Sequence, residues 1–93
     1  VALSNTTELE DLLMRLRRIE GQMRGLQRMI EAHRNCEEII TQIIAVRAAL
    51  DKVGLITLQR YIDECMSGCT EETRARLRRV TGLWFKLSPP GAL

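Results

Sequence analysis

Three cysteines, Cys36, Cys65 and Cys69, are the residues of this 93-residue chain best suited to chemistry. Two of them are informatively spaced. The stretch CEEIITQIIAVRAALDKVGLITLQRYIDEC, from Cys36 to Cys65, has no proline and one interior glycine, so it reads as one long helix. At roughly 1.5 Å per residue its end thiols lie about 44 Å apart, too far for one chain to use them together. Steps of about 100° nevertheless leave them only about 20° apart around the axis, on a stripe with Ile43, Arg47, Leu50, Gly54, Leu58 and Tyr61. A second copy of the helix, antiparallel and centred between Leu50 and Asp51, sets Cys36 of one chain opposite Cys65 of the other. Ile40 then meets Tyr61, Ile43 meets Leu58, and Arg47 meets Gly54, where the missing side chain leaves room. The spacing predicts a thiol site shared by two chains.

The two thiols are placed differently. Asn35 reads as a helix cap with Glu38 completing a capping box, which makes Cys36 the first helical residue. Free amides and the macrodipole favour a thiolate there, and Glu37 and Glu38 oppose it. Cys65 sits where the dipole has the opposite sign. Cys36 is therefore expected to attack and Cys65 to resolve. Cys69 follows Cys65 by four residues and shares its face if the helix persists through Gly68. With Cys36 of a partner, the pair would make a three-thiolate site suited to Cu(I) or zinc.

A second constellation is cationic. Between Arg15 and Arg28 there are five arginines, Arg15, Arg17, Arg18, Arg24 and Arg28, against the single acid Glu20, with no lysine. On a helix, Arg17, Arg24 and Arg28 fall within about 40° of one another, a ridge of forked donors suited to phosphate. Arg34 adds charge nearby. Arg47 lies inside an otherwise apolar stripe, either against DNA or in a subunit interface.

The elements that must position these groups are helical. Prolines occur only as Pro89-Pro90, and turn signals are too few for a sheet. Asn5 with Glu8 reads as a capping box opening the first helix, whose Leu9, Leu12, Leu16, Ile19, Met23, Leu26 and Ile30 form a packing seam. His33, Arg34 and Asn35 make the break, His33 as an exposed loop residue. Thr70 with Glu71 and Glu72 opens a third helix carrying Leu77, Val80, Trp84 and Leu87. Trp84 and Phe85 read as packing for that helix. The expected fold is all-α, one domain over 1–93, with helices at about 6–32, 36–66 and 71–87 and a loose tail at 88–93. The middle helix is apolar over more than half its circumference. One hairpin partner cannot cover that, so two chains are expected to form an antiparallel four-helix bundle.

Composition narrows the class. A chain this short buries little surface and often leans on oligomerisation. The formal charge of +2 decides nothing by itself. No apolar run approaches the roughly 20 residues of a membrane span and no signal peptide opens the chain, so a cytoplasmic location is expected. An odd number of cysteines fits reduced thiols better than a disulfide framework.

The run Arg15-Leu16-Arg17-Arg18-Ile19-Glu20-Gly21-Gln22-Met23-Arg24-Gly25-Leu26, the cysteine at 36, the segment Ile43-Ile44-Ala45-Val46-Arg47-Ala48-Ala49-Leu50 and the cysteine closing a long amphipathic helix resemble the CsoR/RcnR/FrmR family of bacterial transcriptional repressors. The resemblance spans about residues 9 to 87. It implies a homodimer assembling to a homotetramer, a dimer of dimers, that binds double-stranded operator DNA without a helix-turn-helix. An inducer taken up between protomers releases the DNA.

The chain departs from the copper-sensing pattern where the inducer is chosen. Copper-sensing members carry a histidine four residues before the second cysteine, where this chain has Tyr61. A neutral phenol is a poor ligand for a soft monovalent ion. Such members also tend to have a tyrosine before the first cysteine and a glutamate in the third helix; here stand Asn35 and an arginine-rich stretch. Both cysteines without the histidine resemble the persulfide-sensing, CstR-like branch. The expected inducer is then reactive sulfur, with no cofactor required, Cys36 attacking a sulfane sulfur and the partner's Cys65 resolving it to a disulfide or polysulfide bridge. Cu(I) at Cys36, Cys65 and Cys69 is the alternative. Formaldehyde- and nickel-type members resemble the chain less.

Two other classes weigh less. A helical dimeric enzyme of the chorismate mutase type needs arginines pointing into the bundle, whereas Arg17, Arg24 and Arg28 lie opposite the seam. A plain coiled-coil module explains the heptads but neither the mirrored cysteines nor the one-sided arginines. The protein is not expected to be an enzyme.

Overall fold

The computed structural model describes residues 6–87, and among them the chain is helical with no strand. It forms α1 (Thr6–Glu31), α2 (Cys36–Met66) and α3 (Glu71–Leu87). Asn5, one half of the expected first cap, and the tail at 88–93 lie outside the described residues. The chain packs as two compact units that divide α2 between Val53 and Gly54. The first holds α1 with the N-terminal half of α2, the second the C-terminal half of α2 with α3.

In the first unit, α1 stops in a tight reversal. The Arg34 amide donates to the Met29 carbonyl at 3.0 Å and the His33 amide to Ile30 at 3.1 Å, the paired bonds of a Schellman ending. His33 adopts the left-handed backbone this motif requires, with φ of 56°, at the position where glycine is usual. Two residues on, Asn35 Oδ1 accepts the Glu38 amide at 2.9 Å and caps α2. The reciprocal half of the expected capping box is replaced, because the Glu38 carboxylate takes Arg34 Nε at 2.7 Å instead.

The apolar seam of α1 is only partly covered. Leu12 and Ile19 are buried and Leu26 is half-buried, while Leu9, Leu16, Met23 and Ile30 stay exposed. The two sets each recur every seven residues, so one neighbouring helix covers one row of the seam and leaves the other bare. The N-terminal half of α2 divides the same way. Ile39, Gln42, Val46, Ala49 and Val53 are half-buried, and Gln42 Nε2 donates to the Gln22 backbone carbonyl at 3.4 Å. Cys36, Ile40, Ile43, Arg47 and Leu50 form an exposed row beside them.

In the second unit, Leu58 and Cys65 are buried. Trp84 lays its indole directly on Gly54, where an added Cβ would stand 2.6 Å from Cζ3. The gap at Gly54 is thus filled by the chain's own tryptophan, which corrects the expectation that a partner's Arg47 occupies it. Trp84 and Leu77 are half-buried, whereas Val80 and Leu87 remain exposed. Helix α2 ends at Met66 and does not persist through Gly68, which takes φ of 117°. A polar cap restarts the chain, with the Thr73 amide donating to Thr70 Oγ1 at 3.1 Å.

Candidate functional site

The sulfur atoms sit where the helix ends put them. Cys36 is the first residue of α2 and is exposed; Cys65 lies in the last turn and is 7% exposed; Cys69 is half-buried in the α2–α3 turn. The turn brings the last two together. After Cys65, the Gly68 amide donates to the Cys65 carbonyl at 3.2 Å, and the left-handed glycine swings Cys69 back to the end of α2. The sequence sets Cys69 beside Cys65 only on the condition that the helix continues through Gly68. The juxtaposition arises from breaking it.

Electrostatics separate Cys65 from an ordinary thiol. Its pKa is raised, first by its side-chain hydrogen bond with Cys69, then by burial and by the charge of Cys69, with Glu64 adding to the rise and the Arg74 guanidinium opposing it. The protonated form is held in place until a cation or a higher pH removes the proton. Tyr61, one turn before Cys65, is half-buried. Its phenol is a hard oxygen donor one helical turn from a soft sulfur. Among the described residues of one chain no three His, Cys, Asp or Glu side chains converge as a metal cluster. The chain's donors toward a soft ion are therefore the close pair Cys65 and Cys69 and the separate Cys36.

The arginines of α1 and α3 differ in a way the sequence does not display. On α3, Arg76 is held by Glu72 at 2.6 Å, and Arg74 and Arg78 by Glu71 at 3.5 and 3.2 Å. On α1, Arg15 is held by Asp11 at 3.0 Å. Arg17, Arg18, Arg24 and Arg28 are exposed and make no ion pair among the described residues. The guanidinium Nη2 atoms of Arg24 and Arg28 pass 3.9 Å from where a Cβ on Gly21 and Gly25 would stand, an ordinary contact distance, so both side chains lie back along the helix beside these glycines. Arg47 is exposed on α2 and also makes no ion pair among the described residues. Its neighbours are apolar, and water reaches it.

Thiols stand at both ends of one long helix, and guanidinium groups that make no ion pair among the described residues line another. The family model for metal-sensitive transcriptional repressors matches residues 8–83, and the chain belongs to that family. It is a family of repressors, not of enzymes. The copper-sensing transcriptional repressor RicR of Mycobacterium tuberculosis is 40% identical over 67 residues, which cover 72% of this chain and 70% of the relative. The copper-sensing transcriptional repressor CsoR of Bacillus subtilis is 41% identical over 63 residues, 68% of this chain and 62% of the relative. Among solved structures, the copper-sensing repressor CsoR with Cu(I) from Geobacillus thermodenitrificans is similar at a TM-score of 0.80 and 36% identity, covering 90% of this chain and 93% of that one. No helix among the described residues is long and apolar enough to cross a membrane.

Proposed function

We propose that the chain is a cytoplasmic repressor that holds double-stranded operator DNA through the arginine ridge of α1 and lets go when Cu(I) is taken up by Cys36 of one protomer and Cys65 of its partner. One observation carries the reading: a chain similar to copper-sensing repressors over most of its length keeps a soft donor at each end of α2. The exposed row of Cys36, Ile40, Ile43, Arg47 and Leu50 supports a second copy as the source of the missing donor. Two such hairpins would make a four-helix bundle, and two bundles a homotetramer presenting repeated ridges to DNA.

The bonds a soft cation makes to sulfur would tie the start of one α2 to the end of another. Cys36 and Cys65 would hold it as thiolates, their protons released to solvent, and the α2 helices would be drawn into one register. That register is passed to α1 through the seam it shares with α2, so the spacing of the ridges changes and their fit to the phosphates is lost. The coupling is between two arrangements of packed helices, each favoured by one ligand.

Copper takes precedence over reactive sulfur because the relatives are named for it. Tyr61, four residues before Cys65 where an imidazole donor would be expected for copper, favours sulfur as a second reading. In that case Cys36 thiolate takes the terminal sulfur of a persulfide and expels the carrier thiolate. The partner's Cys65 thiolate then attacks Cys36 sulfur and expels hydrosulfide, leaving an intersubunit disulfide.

The test is fluorescence anisotropy on DNA from upstream of its own operon, under anaerobic conditions, with Cu(I) and with polysulfide in separate arms. Cu(I) at one equivalent is expected to release the DNA without forming a covalent dimer. Release by polysulfide alone, with a mass shift to a cross-linked dimer, would replace copper by sulfur. Cys36→Ala protein is expected to bind DNA normally and to ignore the inducer. A full response from that variant sinks the site assignment.

A further inference from the structure

Three features take no part in holding DNA or in joining two chains: the Cys69 thiol, the Trp84 contact on Gly54 and the polar hollow around Arg34, Glu38 and Gln42 at the start of α2. The tryptophan contact is packing, and the hollow is a helix start with nothing to name its ligand. Cys69 goes further. The two-cysteine copper site proposed above leaves it out, and it stands beside one of that site's donors.

We infer that Cys69 is a third sulfur ligand, that Cys65 and Cys69 together form a two-thiolate claw for a soft cation within one chain, and that this claw supplies the donor Tyr61 cannot. The inference rests on the copper reading and deepens it. The geometry starts with Gly68. Its left-handed backbone and its amide bond to the Cys65 carbonyl at 3.2 Å fold residues 66–69 into a turn instead of another helical step. Cys69 is thereby set immediately before Thr70, the cap of α3, so both sulfurs are anchored, one at a helix end and one at a helix start. Cys65 is buried and Cys69 half-buried, so the claw presents one face to solvent and has a dry wall behind it.

Chemistry favours sulfur at this point over oxygen. A soft monovalent cation gains little from a phenol and much from a thiolate, and three thiolates satisfy it without a histidine. Of the charged side chains that act on Cys65, the Arg74 guanidinium, one turn into α3, favours the thiolate and Glu64 opposes it. A pair of thiols in one chain also changes the order of events. The ion can be captured by Cys65 and Cys69 before Cys36 of the partner completes the set, so capture and the change of register become separate steps.

The experiment uses the full-length protein loaded anaerobically with Cu(I). Sulfur ligands are counted by X-ray absorption, and affinity is measured by competition with a chromophoric Cu(I) chelator, in wild type, Cys69→Ser, Cys36→Ser and Tyr61→Phe. Circular dichroism reports that each variant keeps its helices. The expected counts are three sulfurs in wild type and Tyr61→Phe, and two in Cys69→Ser and in Cys36→Ser. Affinity should fall by at least about tenfold in Cys69→Ser, since removing a group that merely supports a metal ligand already costs roughly 10–100-fold. Two sulfurs in wild type, with Cys69→Ser unchanged in count and affinity, would overturn the claw and leave the Cys36–Cys65 site standing. Failure of wild type to retain Cu(I) would overturn the copper reading along with it. Loss of Cu(I) from Tyr61→Phe would overturn the claim that the phenol is no donor.

Discussion

Cys65 shows how much a single neighbour sets. Its thiol is held protonated above the usual thiol range chiefly because Cys69 hydrogen-bonds to it, with burial second. Only the thiolate alkylates, so in metal-free protein the rate at Cys65 should rise with pH through a midpoint higher than that of an ordinary thiol. Replacing Cys69 by Ala removes the first cause and should move that midpoint down. Peptide mass spectrometry after timed iodoacetamide pulses across a pH series reads it. A midpoint that stays put in Cys69→Ala would mean the two sulfurs do not touch. Residue types announce this chemistry, since cysteines in an odd number invite a thiol reading. Their juxtaposition is legible only on the condition that the helix runs on through Gly68, and the pattern itself ends the helix near residue 66, as the structure does. A glycine that breaks a helix gives no periodic signal of where its turn sends the next side chain. His33 is harder still, because a non-glycine residue at the left-handed position of a helix ending has no signature of its own.

At the scale of elements, periodicity carries most of the information. The 3-4 spacing of leucines and isoleucines locates α1 and α2, and Asn35 marks where α2 starts because its side chain can take an otherwise orphaned amide. What periodicity does not carry is which half of a seam a neighbour covers, or which residue distant in sequence lands on a glycine. Trp84 on Gly54 is such a case. Gly54→Ala would gain about 1 kcal/mol of helix propensity. It would also drive a methyl into a rigid indole, an overpacking that costs about 1–3 kcal/mol. The net expectation is a lower urea midpoint in wild-type background, and a higher one when the same change is made beside Trp84→Leu, where the wall is gone. The double-mutant cycle isolates the pair. The same sign in both backgrounds would show that α3 does not rest there.

The arginine ridge belongs to the same scale, and the pairing pattern selects among the arginines. Arg74, Arg76 and Arg78 of α3 are each paired with Glu71 or Glu72, while Arg17, Arg24 and Arg28 of α1 make no ion pair among the described residues. A helix that leaves its guanidinium groups unpaired is the one available to phosphate. Arg24→Ala is expected to weaken operator binding and to reduce the steepness of its fall with salt by about 0.9 in log–log slope for each phosphate no longer neutralised per bound protein. Arg76→Ala, removing a paired arginine, should change neither. Anisotropy titrations at several salt concentrations make the comparison, and equal effects from the two variants would place the DNA elsewhere.

For the whole molecule the question is whether one chain can stand alone. Among the described residues four hydrophobic side chains, Leu12, Ile19, Leu58 and Cys65, are buried, while fifteen large ones are exposed, which is the reverse of a self-sufficient core. The exposed set is ordered: Leu9, Leu16, Met23 and Ile30 on α1, and Ile40, Ile43 and Leu50 on α2, each row running along its helix. Burying a large aliphatic side chain is worth about 1.5–3 kcal/mol, so two chains that cover these rows gain several such increments each. The thiol at Cys36 stands in the same α2 row, so the surface that would join two chains also carries half of the proposed inducer site. Ile43, 40% exposed in the middle of that row, tests both at once. Ile43→Glu would place a charge where a partner's apolar row should sit, and sedimentation velocity is expected to show dissociation toward monomers. Because ridges on separate monomers no longer bind as a unit, operator affinity should fall with it, while Cys65 and Cys69 within each chain stay together. A variant that sediments as wild type would mean the rows are covered by something other than a second copy, and the shared site would lose its physical basis.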